Sequence, residues 1–145
     1  MKINLKNGID KLLFGMKQKD VVALYGKPNK EYKDEDNNTI LLYDNQKLRL
    51  TFYAEEDFKL GYIVGSGADL VVFGLPIIGR KIADVKKDLA TKGITKWTEE
   101  AFDTYENFFN EAYWIILQSE FGEVVKIEVG AIINDEDEFD WKFKK

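Results

Sequence analysis

A heptapeptide recurs in this chain. Gly15-Met16-Lys17-Gln18-Lys19-Asp20-Val21 returns 64 positions later as Gly79-Arg80-Lys81-Ile82-Ala83-Asp84-Val85, with a glycine, a lysine, the aspartate and the valine in register. With one residue inserted in the second copy, Leu48, Leu50 and Phe52 fall on Tyr113, Ile115 and Leu117. Leu60, Tyr62 and Val64 then fall on Val125, Ile127 and Val129. A period of this length marks a repeated structural unit. The expectation is two units, residues 1–68 and 69–145, forming one compact body with a shared core.

Each unit reads the same way locally. Apolar residues at helical spacing, Val21, Leu24 and Tyr25 in one and Ile82, Val85 and Leu89 in the other, predict helices over 19–25 and 82–92. Gly26 and Gly93 stop them, and Pro28 prevents the first from continuing. Alternating segments follow at 40–43, 47–53 and 60–64, then at 103–109, 112–118 and 124–130. Period-two alternation with polar connections such as Asp44-Asn45-Gln46 predicts an antiparallel meander. The expected fold class is α+β: two tandem helix-plus-antiparallel-meander repeats forming one sheet with helices packed on one face. Residues 65–74, which include Gly65-Ser66-Gly67-Ala68-Asp69, read as a flexible link, because no Lys-Ser/Thr follows to make a phosphate loop.

Composition narrows the chemistry. At 45% hydrophobic and 14% aromatic the chain has the apolar mass of a globular protein, and its longest apolar runs are too short to span a bilayer. There is no cysteine and no histidine, which removes disulfides, thiolate and imidazole metal sites, and every triad with imidazole as base. Asp34, Asp36 and Asn38 imitate the start of a calcium loop, but Thr39 stands where its glycine belongs. With 26 acidic residues, pairs of carboxylates arise by chance, and none is singled out for hydrolysis. No enzyme, cofactor or metal is expected. The net charge is −5, gathered in Asp34-Glu35-Asp36, Glu55-Glu56-Asp57, Glu99-Glu100 and Asp135-Glu136-Asp137-Glu138. Such a surface repels nucleic acid and anionic membrane and favours a basic protein partner. Residues 1–8 lack the apolar stretch of a signal peptide, so the chain reads as cytoplasmic.

The motif residues Gly15-Met16, Val21-Val22, Leu24, Gly26, Pro28 and Tyr43 resemble the pattern of the small outer-membrane lipoprotein of the β-barrel assembly machinery. That domain shares its helix-then-strands unit with the β-lactamase inhibitor proteins, which the tandem layout resembles over nearly the whole chain. More loosely, a small, acidic, cysteine-free chain is similar to bacterial toxin-immunity proteins. The lipidation cysteine of the first family and the disulfides of the second are absent. The resemblances imply a binding module: an inhibitor or immunity protein, or alternatively an envelope-assembly or small-ligand domain.

Strand parity suggests where a partner would sit. If Leu48, Leu50, Phe52, Leu60, Tyr62 and Val64 face the helices, then Arg49, Thr51, Tyr53 and Ile63 face away. In the second copy the outward set is Trp114, Ile116, Gln118, Lys126 and Glu128. Water alone would favour lysine, glutamate and threonine throughout, whereas aromatic and aliphatic side chains on one face suggest partner anchors. The expected partner-binding residues are Arg49, Tyr53, Ile63, Trp114, Ile116, Gln118, Lys126 and Glu128. Phe139 and Trp141 sit in the acidic C-terminal stretch as apolar anchors.

Overall fold

The computed structural model describes residues 1–144. Three short strands open the chain: β1 (Lys2–Asn4), β2 (Gly8–Ile9) and β3 (Leu12–Leu13). Helix α1 (Gln18–Tyr25) leads into β4 (Lys30–Lys33), β5 (Thr39–Tyr43), β6 (Leu48–Tyr53) and, after a 3-10 turn, β7 (Lys59–Gly65). A small hairpin, β8 (Val71–Val72) and β9 (Leu75–Pro76), precedes α2 (Ile82–Ala90). The last four strands are β10 (Thr98–Ala101), β11 (Glu106–Asn110), β12 (Ile115–Glu120) and β13 (Glu123–Gly130).

These strands make two sheets. One has eight strands in the order β10-β11-β12-β13-β7-β6-β5-β4, and the other has five in the order β3-β2-β1-β8-β9. The larger sheet is antiparallel throughout, and its two four-stranded meanders meet where β13 pairs with β7. The expected α+β arrangement, one sheet covered by helices on one face, is not what forms. Strand accounts for 41% of the chain and helix for 14%, so the fold is mainly β. The reason is one of size. α1 has eight residues and buries only Val21, and α2 has nine and buries Val85 and Leu89. Two-turn helices cannot cover eight strands. The five-stranded sheet and its flanks supply the missing apolar surface through Ile3, Ile9, Leu12, Phe14, Leu70, Val72 and Ile77, all in one cluster with Leu50, Phe52, Leu117 and Ile127.

The stretch from 65 to 74, expected as a flexible link, is therefore structural. Gly65 ends β7, Leu70 and Val72 are buried, and β8 runs parallel to β1. A Cβ on Gly65 would lie 2.7 Å from Leu70, so the glycine lets the connecting chain sit down on the large sheet.

Local chemistry explains the helix ends. The Asp20 carboxylate accepts the Lys17 N–H at 3.0 Å, satisfying a free donor at the start of α1. Gly26 ends α1 at φ 81°, and the Tyr43 hydroxyl donates to its carbonyl at 2.8 Å. Tyr43 also meets the Tyr25 ring edge-on at 5.7 Å, so Gly26 and Tyr43 form the joint between helix and sheet. Arg80 braces α2 by reaching Asp88 at 2.7 Å. Gln18 donates to Glu31 of β4 and Lys86 to Glu99 of β10, so each helix is tied to the outer strand of its own meander.

The meanders carry a β-bulge at matching places. Between Thr51 and Phe52 the partner strand has Gly61 as its extra residue, and between Gln118 and Ser119 it has Val125. These bulges correct the strand alignment. Leu48, Leu50 and Phe52 correspond to Ile115, Leu117 and Ser119, and Leu60 and Ile63 correspond to Val124 and Ile127. The offset arises because the β6–β7 connection is longer than the tight turn between β12 and β13.

Candidate protein-binding face

One face of the eight-stranded sheet carries the main core cluster, and the other is covered only in part, with Ile40 and Thr51 buried on it. Register places Lys30, Leu42, Arg49, Val64, Glu128, Ile116, Phe109 and Thr98 in a single row across all eight strands. Leu42, Arg49, Val64, Glu128, Ile116 and Phe109 are each partly exposed, and none of the apolar ones belongs to the core cluster. At about 4.8 Å between strands, Arg49 and Ile116 stand roughly 14 Å apart along this row. A second row runs Tyr32, Ile40, Thr51, Tyr62, Gly130, and on the second meander Gln118 pairs with Lys126.

Seven of the eight expected residues are thus on this face. Arg49, Ile116 and Glu128 share a row, Gln118 and Lys126 form a pair beyond it, and Tyr53 and Trp114 lie toward the opposite end. Ile63 is the exception. It is fully buried and packs in the core, because the bulge at Gly61 shifts the alternation of β7 by one residue. The same shift turns Tyr62 and Val64 outward, where they take the place expected for Ile63. The sequence signal was an isolated glycine within a strand pattern, which marks a bulge or a close approach. Gly61 is both.

Two aromatic side chains shield those glycines. The Tyr53 ring lies over Gly61 and the Trp114 indole over Gly130, so a Cβ at either position would collide with the ring. Trp114 meets Phe109 edge-on at 5.0 Å. Tyr53 also packs on Phe139 of the C-terminal segment at 5.6 Å, so this end of the face is partly roofed. Burial pushes the Tyr53 phenol up to about 12. The centre of the face holds a polar contact. The Tyr62 hydroxyl donates to the Glu128 carboxylate at 2.6 Å, and burial, with that carboxylate, holds the phenol far above its ordinary range. Arg49 reaches the Tyr32 hydroxyl at 3.4 Å. The face therefore offers apolar side chains interleaved with the cations Arg49 and Lys126, the Glu128 carboxylate and tyrosine hydroxyls, a composition suited to protein contact.

The glycine shield is testable. Gly130→Ala is expected to cost about 1–3 kcal/mol by forcing the indole aside. In a Trp114→Ala background the same change should cost less than about 0.5 kcal/mol, since the obstruction is gone. Urea denaturation of the four proteins measures the difference. Equal costs in both backgrounds would place Trp114 elsewhere.

The acidic loops have a structural role. The Asp34 carboxylate accepts the N–H groups of Asp36 and Asn38 at 2.9 Å each, and Asn134 does the same for Glu136 and Glu138. Among the described residues no group of three acidic side chains converges on a metal position. No helix among them is long and apolar enough to cross a membrane.

No protein-family model and no curated protein matches the chain. Among solved structures it is similar to an extracellular protein containing a SCP domain from Bacillus anthracis str. Ames, with a TM-score of 0.51 and 14% identity. The match covers 90% of this chain and 49% of that one, so the chain spans about half the length of that structure. At this identity the likeness is one of fold alone.

Proposed function

We propose that this chain is a non-enzymatic protein-binding module, an immunity or inhibitor protein that engages a basic toxin or enzyme through the open face of its eight-stranded sheet. The observation that carries the reading is the row Arg49, Val64, Glu128, Ile116, in which two partly exposed aliphatic side chains alternate with a cation and an anion across both meanders. The net charge of −5 speeds encounter with a basic surface, and the aliphatic pair supplies the desolvated contact that holds it. The reading places the chain in the cytoplasm with its partner. The structurally similar protein is described as extracellular, and fractionation of the source cell distinguishes the two placements.

The test compares capture by the wild-type chain and by a Val64→Asp, Ile116→Asp variant. Both side chains are partly exposed and pair with Glu128, so the double variant should melt lower than the wild type yet stay folded, which circular dichroism before the capture checks. The wild type should retain a basic protein, and the variant should bind it about 100-fold or more weakly. A captured protein that binds both chains equally, or no basic partner at all, would overturn the reading.

A further inference from the structure

The turn between β12 and β13 is built against its own stability. Phe121 is 97% exposed, and it stands at φ 51° beside Gly122 at φ 81°. Two positive φ values in a two-residue hairpin loop define a type I′ turn, where asparagine, aspartate and glycine are favoured. A bulky side chain there is a backbone outlier as well as an apolar group in water. The residues that close the turn, Glu120 and Glu123, pair directly across it with like charges. Among the described residues neither carboxylate forms an ion pair. Three unfavourable choices in four residues are explained if the tip is covered by something apolar with a basic rim.

Such a surface exists on the chain itself. A cleft of about 630 Å³ lies between the start of α1, the start of β7 and the C-terminal segment. Trp141 and Phe143 form its apolar wall, and Lys17, Lys19, Lys59 and Lys144 stand around it, against Asp20 and Asp140. Lys17 is engaged by Asp57, and Lys59 lies over the Trp141 ring at 5.6 Å. Gly15, at φ 105°, forms the back of the cleft, with the Phe143 carbonyl and Trp141 Cβ 3.1–3.2 Å from where a side chain would begin. This is a basic, aromatic hollow on a protein of net charge −5.

Tip and cleft cannot meet within one molecule. The tip is at the start of β13, and the cleft lies beyond its far end, where Ala131 bonds Gly61 next to Leu60 and Gly15. Seven strand steps separate the two, about 24 Å. We propose that the Phe121 tip of one copy inserts into the lysine-rimmed cleft of a second copy, Phe121 against Trp141 and Phe143, with Glu120 and Glu123 facing Lys19, Lys59 and Lys144. Such a contact joins two different surfaces, so it propagates head to tail and closes only if the rotation permits.

Sedimentation velocity from about 1 µM to about 1 mM protein tests this, a range that reaches contacts of millimolar affinity. The wild type should associate with rising concentration, and less so at high salt. Phe121→Asn should be monomeric over the same range while melting no lower than the wild type, since Asn-Gly suits the turn. Lys19→Glu with Lys144→Glu should also be monomeric. Mixing these two variants should restore a one-to-one dimer and nothing larger, because only one tip and one cleft remain competent. A wild type that stays monomeric, a Phe121→Asn variant that associates like the wild type, or a mixture that yields no dimer would each overturn the proposal.

Discussion

Phe52→Ala is expected to remove about 4 kcal/mol of stability and to lower Tm by roughly 10 °C. The side chain is fully buried and faces the bulge of β7, opposite Leu60. Its surroundings cannot collapse into the space it leaves. The Leu60 N–H donates to Met16 at 2.7 Å and the Leu60 carbonyl accepts from Gly15 at 2.9 Å, so the facing strand is pinned from its other side. A cavity that stays open carries the upper part of the cost range for such a truncation. Thermal and urea unfolding measure it. A loss below about 1 kcal/mol would mean that the bulge relaxes and that the core is more plastic than its packing implies.

Gly8→Ala should be almost as damaging, for a backbone reason. Gly8 holds φ 148°, and a Cβ there would fall on the carbonyl oxygen of Leu12. That oxygen belongs to the facing strand, where Gly8 pairs with Leu13, so relief requires unzipping β2 from β3. The strain and the lost pairing together should cost about 3 kcal/mol or more. Loss of amide protection should centre on β2 and β3, where Gly8 pairs with Leu13 and Ile9 with Leu12. Gly74→Ala is the control. Gly74 also has positive φ, at 76°, but nothing lies within 4 Å of its added carbon. It should cost only about 1–2 kcal/mol, the ordinary penalty of a left-handed residue. Equal effects at the two glycines would show that conformation alone, and not collision, decides the outcome.

The central strands and both helices were legible because their apolar residues keep a clear period over five or more positions. The five-stranded sheet was not. Its strands have two or three residues each, too few for alternation to register, and their pairing depends on segments nearly seventy positions apart, as in Lys2 with Val71. The outer strands β4 and β10 were hidden for another reason. Lys-Glu-Tyr-Lys and Thr-Glu-Glu-Ala are exposed at every position, which keeps a sheet edge from pairing with another molecule and also removes the apolar pattern. On the candidate face, parity placed the second meander's residues outward and misplaced Ile63, since simple alternation does not cross a bulge. The aromatic covers over Gly61 and Gly130 were invisible as such, because a ring lying on a glycine leaves no spacing rule in the sequence.

The seam between the two meanders also governs how the chain can be made. Gly15 and Met16 close the β7 edge at Leu60, but from Tyr62 to Gly65 it is β13 that closes it, and the Phe14 carbonyl receives its donors from Lys142 and Phe143. A nascent chain emerges from its first residue onward, so the first meander leaves the ribosome with an unpaired central edge. That edge stays open until β13 has followed. Open edges template aggregation, and this one is the hydrophobic middle of the finished sheet, without the charged residues that guard β4 and β10. Translation speed through the second half, and any chaperone that shields an extended strand, should therefore set the yield of folded protein more than the stability of the final structure does.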